Sequence, residues 1–183
     1  LLQANGLRLF ENANWAEATE RMLIAQSNIW PIRRENRQLF AKTCIKLFEE
    51  ARFSEAEPVC RASYESNEHI SATIILVQVL IELSKLQESE NLLMSALERS
   101  EQEVNLYQLL GEVYALEERN EDEVATYLKI LALDPQNHTA YLNLSRNYGD
   151  ADDNEKLQQI LIEAIQQVEN PTVFQQMLDA LDS

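Results

Sequence analysis

The residues that could carry chemistry in this chain are few and poorly spaced for it. Cys44 and Cys60 are its cysteines, His69 and His138 its histidines, and Gly6, Gly111 and Gly149 its glycines. A thiolate–imidazole metal centre needs ligands in closely spaced pairs. Neither histidine has a cysteine or a second histidine at such a spacing, so both read as solvated side chains in turns. Glycines this far apart form neither a Walker loop nor a GxGxxG turn, which excludes phosphate cradles of those kinds. Carboxylates abound, with 31 Asp and Glu in 183 residues, but an acid–base pair is defined by a pocket rather than by frequency. The expectation is a protein that is not an enzyme, with no catalytic, cofactor or metal residues. Cys44 and Cys60 leave two readings open: two small core side chains, or a disulfide, which would imply an oxidising compartment.

Charge is the most unusual feature. The net charge is -16, yet residues 1–61 hold nine Lys and Arg against eight Asp and Glu, whereas residues 62–183 hold six against 23. Nucleic acid is thereby disfavoured as a partner, because neutralising phosphates takes clustered cations. The acidic excess includes Glu117, Glu118, Glu121, Asp122 and Glu123, then Asp150, Asp152 and Asp153. Such charges fit helix starts, where the dipole favours them; the alternative is a surface that attracts a basic partner segment.

The elements that must position these residues are helices. Three Gly, four Pro and no sustained β-branched alternation argue for helices with short connections. At 45% hydrophobic residues and a mean hydropathy of -0.33, with no apolar run near the roughly 20 residues a bilayer span needs, the expectation is a soluble chain without a membrane span. It begins at Leu1 with residues that already read as helix, so a trimmed fragment is expected.

Residues 104–137, VNLYQLLGEVYALEERNEDEVATYLKILALDPQN, set the period. Tyr107, Leu110, Gly111 and Tyr114 fall at i, i+3, i+4 and i+7, one helical face with a small residue at its centre where a second helix can approach closely. After a polar break, Val124, Tyr127, Leu128, Ile130 and Leu131 give a second apolar face, and Pro135 closes the unit. This order of aromatic, Leu, Gly and Tyr, then aromatic and Pro, resembles the tetratricopeptide repeat (TPR), a helical hairpin of about 34 residues.

Stepping by that length, Tyr141, Leu144, Ser145 and Tyr148 repeat the pattern forward, and Thr73, Leu76, Val77 and Leu80 repeat it backward. One step earlier, Phe40, Cys44 and Leu47 lead into the turn-like ARFSEAEP with a one-residue slip in register. Leu2, Gly6 and Leu9 open a further unit closed by Trp30–Pro31. The resemblance thus implies an all-α solenoid of about five repeats, 1–34, 37–69, 70–103, 104–137 and 138–171, forming part of a right-handed superhelix. Residues 172–183, an amphipathic last helix with Val173, Phe174, Met177, Leu178 and Leu181, would cap it. In that frame Cys44 occupies the small central site of a first helix and Cys60 a packing site on its partner. Asn14 with Glu17, Ser54 with Glu57, and Asn120 with Glu123 have capping-box spacing and are expected to start second helices. Pro58 is expected at the edge of a first turn, where a missing N–H matters least.

The resemblance also implies binding rather than catalysis, with first helices lining a concave surface. The stripes on that surface contain Leu7 and Phe10; Gln38, Ile45 and Phe48; Ile74, Gln78 and Ile81; Gln108 and Glu112; and Asn143 and Arg146. The apolar members from Leu7 to Ile81 suit apolar anchors of a partner peptide or amphipathic helix, and the acidic C-terminal repeats suit its basic residues. Chaperone-binding members of the family clamp a carboxylate with Lys, Arg and Asn on these stripes, and here only Asn143 and Arg146 would serve. The expected function is a protein-binding scaffold. The alternatives are a regulatory or substrate-guiding segment of a larger enzyme such as a transferase, or a self-association module forming homo-oligomers.

Overall fold

A computed structural model describes residues 34–66 and 69–181. The described residues form helices and connections without strands: α1 (Arg34–Glu49), α2 (Phe53–Ser66), α3 (Ile70–Glu82), α4 (Leu86–Arg99), α5 (Val104–Leu116), α6 (Asn120–Leu133), α7 (His138–Asp150), α8 (Asn154–Gln167) and α9 (Thr172–Leu181). The starts of α3, α5, α7 and α9 step by 34 residues, as do those of α4, α6 and α8. From Phe53 of α2 to Leu86 of α4 the step is 33, which is where the sequence slips. None of these helices is long and apolar enough to cross a membrane.

The chain divides into two compact units at Leu92/Leu93, within α4. In the first unit α2 packs on α1 and α3, and α3 also touches α1. Phe40, Cys44 and Leu47 of α1 meet Ala56, Val59 and Cys60 of α2 and Leu76, Val79 and Leu80 of α3. Spacings of three and four place each set on one helical face. In the second unit α5 packs on α6, α6 on α7, α7 on α8 and α8 on α9. Its core runs through Tyr127, Ile130, Tyr141, Leu144, Leu161 and Phe174. On α9, Phe174 is fully buried and Met177 and Leu178 are packed against that core, whereas Val173 and Leu181 are exposed.

Among the described residues, each turn from a first to a second helix has the same backbone form. Ala51, Ser84, Glu118 and Asp152 have φ of 55°, 57°, 57° and 55°. The next residue, Arg52, Lys85, Arg119 or Asp153, donates its N–H five residues back, to Leu47, Leu80, Tyr114 or Tyr148 at 2.8–2.9 Å. This left-handed Schellman closure satisfies orphan carbonyls at the helix end, and glycine is its usual occupant. Here no glycine marks it, which is why composition does not reveal these stops.

The second helices α2 and α6 begin beside Ser54 and at Asn120, as expected, but their caps depart from expectation. α2 begins at Phe53, with the Arg52 carbonyl accepting from Glu55 and Ala56 N–H. α6 begins at Asn120 after Arg119, which makes no side-chain cap bond. Ser54 and Asn120 therefore lie inside their helices rather than capping them, and Glu57 and Glu123 are released for other contacts. Pro58 lies six residues into α2, beyond the first turn, where its missing N–H leaves a gap in the helical ladder. The Asn14–Glu17 pair lies outside the described residues. Side-chain caps occur instead at Asn137, which accepts from Ala140 N–H, and at Asp153, which accepts from Lys156 N–H.

The cysteines are bonded to each other. Cys44 of α1 and Cys60 of α2 form a disulfide, with Cα atoms 4.9 Å apart. The resemblance had placed both on the mutually facing sides of a hairpin, and that proximity is what permits the bond.

Candidate partner-binding surface

In the first unit the stripe next to the core on α1 presents Gln38 and Ile45 to solvent, with Ile45 45% exposed. Phe48 is half-buried, its ring edge-on to Phe53 at 5.6 Å and packed against the core. Ile74, Gln78 and Ile81 of α3 are half-buried. Since α1 and α3 touch, the outward parts of Ile45, Ile74 and Ile81 belong to neighbouring first helices. Leu7 and Phe10 lie outside the described residues.

In the second unit the expected positions are polar, and those on α7 are already engaged. Gln108 of α5 is half-buried and Glu112 exposed. Asn143 of α7 donates its side-chain N–H to the Thr139 carbonyl one turn earlier. Arg146 of α7 donates from Nη2 to Glu123 Oε1 of α6 at 2.5 Å, and the Glu123 side chain is 3% exposed against 52% for Arg146. Sequence reasoning missed this pair because the 119–123 segment resembled a cap. A signal existed: counting from the helix starts, the Glu123 position is filled by Ala56, Ser89 and Leu157 in α2, α4 and α8. A carboxylate buried among small and apolar residues calls for a cation partner.

Around that pair lies the close approach of α5 and α6. A Cβ added to Gly111 would lie 2.8 Å from Tyr127 Cζ, a separation that real side chains do not tolerate. Tyr127 titrates late, pushed up to about 12 first by burial, then by the Glu123 and Glu112 carboxylates, with Arg146 opposing them.

Glu57, a second of the carboxylates expected to cap, also holds cations. Lys85 Nζ reaches Glu57 Oε1 and Oε2 at 2.6 and 2.7 Å, and Arg61 bridges Glu57 at 3.0 Å and Glu88 at 2.6 Å. The hydrogen bond from Lys85 is the main reason the Glu57 carboxyl sits below the usual range, with Arg61 adding to it against desolvation.

The histidines serve helix ends. His69 Nδ1 accepts from Ser71 N–H at the start of α3, and the exposed His138, at the start of α7, sets its ring 4.7 Å from that of Phe174. Among the described residues no group of three or more His, Cys, Asp or Glu could hold a metal ion.

No family model and no curated protein matches the sequence. Solved structures do. MamA from Desulfovibrio magneticus RS-1, residues 41 to the end, superposes with a TM-score of 0.65 at 16% identity over 90% of this chain and 92% of that one. YrrB, described as a TPR protein with an unusual peptide-binding site, gives 0.67 at 15% identity over 96% and 89%. A tetratricopeptide repeat protein from Parabacteroides merdae gives 0.66 at 14% identity over 90% and 64%.

Proposed function

We propose that this chain, whose fold is that of the tetratricopeptide repeat, is a non-catalytic scaffold that binds a peptide or helix of another protein on its first-helix surface. The observation that carries the reading is the apolar surface of the first unit, where Ile45 is exposed and Ile74 and Ile81 are partly so. Exposed apolar area of this kind marks interaction sites. YrrB, a structural neighbour, is described as having a peptide-binding site, which makes peptide binding the activity to test first.

The expected affinity is modest. Burying two or three apolar anchors yields about 1.5–3 kcal/mol each, while association costs at least about 4 kcal/mol, so micromolar or weaker binding is expected. Arg146 is a poor anchor for a partner carboxylate, because Glu123 already neutralises it. The acidic excess favours a partner with basic residues instead.

The test has two steps: recovery of the partner from the native source with the intact chain, then titration of the purified pair. Ile45→Ala and Ile74→Ala, with circular dichroism unchanged, should each weaken binding several-fold through faster dissociation. Unchanged affinity in both would refute the first-helix reading.

A further inference from the structure

Within residues 93–183, three second helices carry at one register apolar side chains that the core does not use. Met94 of α4, Leu128 of α6 and Ile162 of α8 are 49%, 44% and 42% exposed. Each is the ninth residue of its helix, so successive members are 34 residues apart. A single exposed leucine is ordinary. Three large apolar side chains at one register of successive hairpins are a patterned surface, because random drift would scatter them around the helices. In α6 the pattern is broader, since Ala125 and Ala132, one turn on either side of Leu128, are exposed as well. The ninth residue of α2, by contrast, is Arg61, tied to Glu57 and Glu88.

We propose that this row is a second docking surface, separate from the first-helix surface, and that its occupant is a basic amphipathic helix of another protein. Charge selects the basic partner. The second unit holds 18 Asp and Glu against five Lys and Arg. Exposed Glu98, Glu121 and Glu155 lie along the same helix faces as Met94, Leu128 and Ile162. Beside the row, Lys129 is matched by Glu163 at the equivalent position of α8. Two copies of so acidic a surface repel, which disfavours a second copy of this chain as the occupant. The backbone selects the helix. The exposed faces of α4, α6 and α8 offer no strand edge, so an extended segment would find no ladder for its N–H and C=O groups, whereas a helix arrives with its own satisfied.

The probe is a synthetic 18-residue peptide of Leu and Lys, with Leu at i, i+3, i+4 and i+7, labelled for fluorescence anisotropy and titrated with the full chain. A matched peptide with Glu for every Lys serves as the comparator. The Leu/Lys peptide should bind, with an affinity that falls as salt rises. The triple variant Met94→Ser, Leu128→Ser, Ile162→Ser leaves net charge unchanged and should weaken binding at least tenfold with helical content intact. If the triple variant loses its fold, Leu128→Ser and Ile162→Ser singly should each weaken binding about threefold. The proposal is overturned if folded variants bind as tightly as the parent, or if the Leu/Glu peptide binds equally well. It is also overturned if the parent forms a dimer on dilution series that the same substitutions abolish, since a second copy would then cover the row.

Discussion

Arg146 reaches across the packing of α7 on α6 to a carboxylate, Glu123, that is almost wholly removed from water, while its own side chain stays half in solvent. The two ends of this bond therefore carry different risks. Removing the arginine strands a buried charge; removing the glutamate frees an arginine that water can hydrate.

The first prediction follows from that asymmetry. Arg146→Ala should destabilise the chain by roughly 1–2 kcal/mol, below the full range for a buried pair because the arginine is partly solvated. Glu123→Ala, which installs the residue found at the same register as Ala56, should cost less. Urea unfolding of the two variants gives the comparison, and a Glu123→Ala loss larger than the Arg146→Ala loss would contradict the assignment.

Gly111 supplies a second prediction. Gly111→Leu should cost about 1–3 kcal/mol through overpacking against the Tyr127 ring. The next hairpin has Ser145 at the equivalent register, and Leu161 fills the position equivalent to Tyr127. Gly111→Ser should accordingly be better tolerated when combined with Tyr127→Leu than alone. Additive losses in a thermal-melt cycle would mean that the two positions are independent.

The disulfide gives a third. In the chain-entropy account, closing a loop of about 15 residues is worth ~3 kcal/mol, so Cys44→Ala with Cys60→Ala should lower the unfolding midpoint markedly. The parent should yield no alkylatable thiol when unfolded without reductant. Two free thiols in that experiment would show that the bond does not form in the native source.

Acid should loosen the first unit. Glu57 is held below the ordinary carboxylate range by Lys85 and Arg61. A carboxyl with a depressed folded pKa contributes stability that is fully present above its unfolded value and is lost as pH falls through the folded one. Denaturant midpoints should therefore fall as pH drops below the ordinary value of 4.5, and Glu57→Gln should flatten that dependence. An unaltered pH profile in the variant would remove Glu57 from the account.

The hairpin turns predict a gain. Glu118 occupies a left-handed position, φ 57°, where glycine avoids a steric cost of about 1 kcal/mol. Glu118→Gly should raise the melting temperature by a few degrees, and a lowered value would mean that the glutamate makes a compensating contact.

Much of this architecture was legible because packing is written in side-chain spacing. Tyr107, Leu110, Gly111 and Tyr114 carry the period, and Gly111 announces a close helix approach that Tyr127 fulfils. The turns were harder to read, because Ala51, Ser84, Glu118 and Asp152 adopt the glycine conformation without being glycine. Glu57 and Glu123 were misread for a local reason: three-residue spacing looks like a cap, whereas their partners Lys85 and Arg146 lie 28 and 23 residues away. Disulfide formation was open for the same reason, since the separation of 16 residues says nothing until the hairpin brings the two sulfurs together.

The Cys44–Cys60 bond has a mechanical meaning as well. A chain pulled from its two ends lengthens by about 3.4 Å for every residue released, but the 16-residue span between these cysteines is short-circuited. Roughly 50 Å of contour length is withheld from the load path while the bond is intact. In a single-molecule stretching trace, oxidised and reduced chains should therefore differ by that increment in total extension, with the missing length belonging to the α1–α2 hairpin alone.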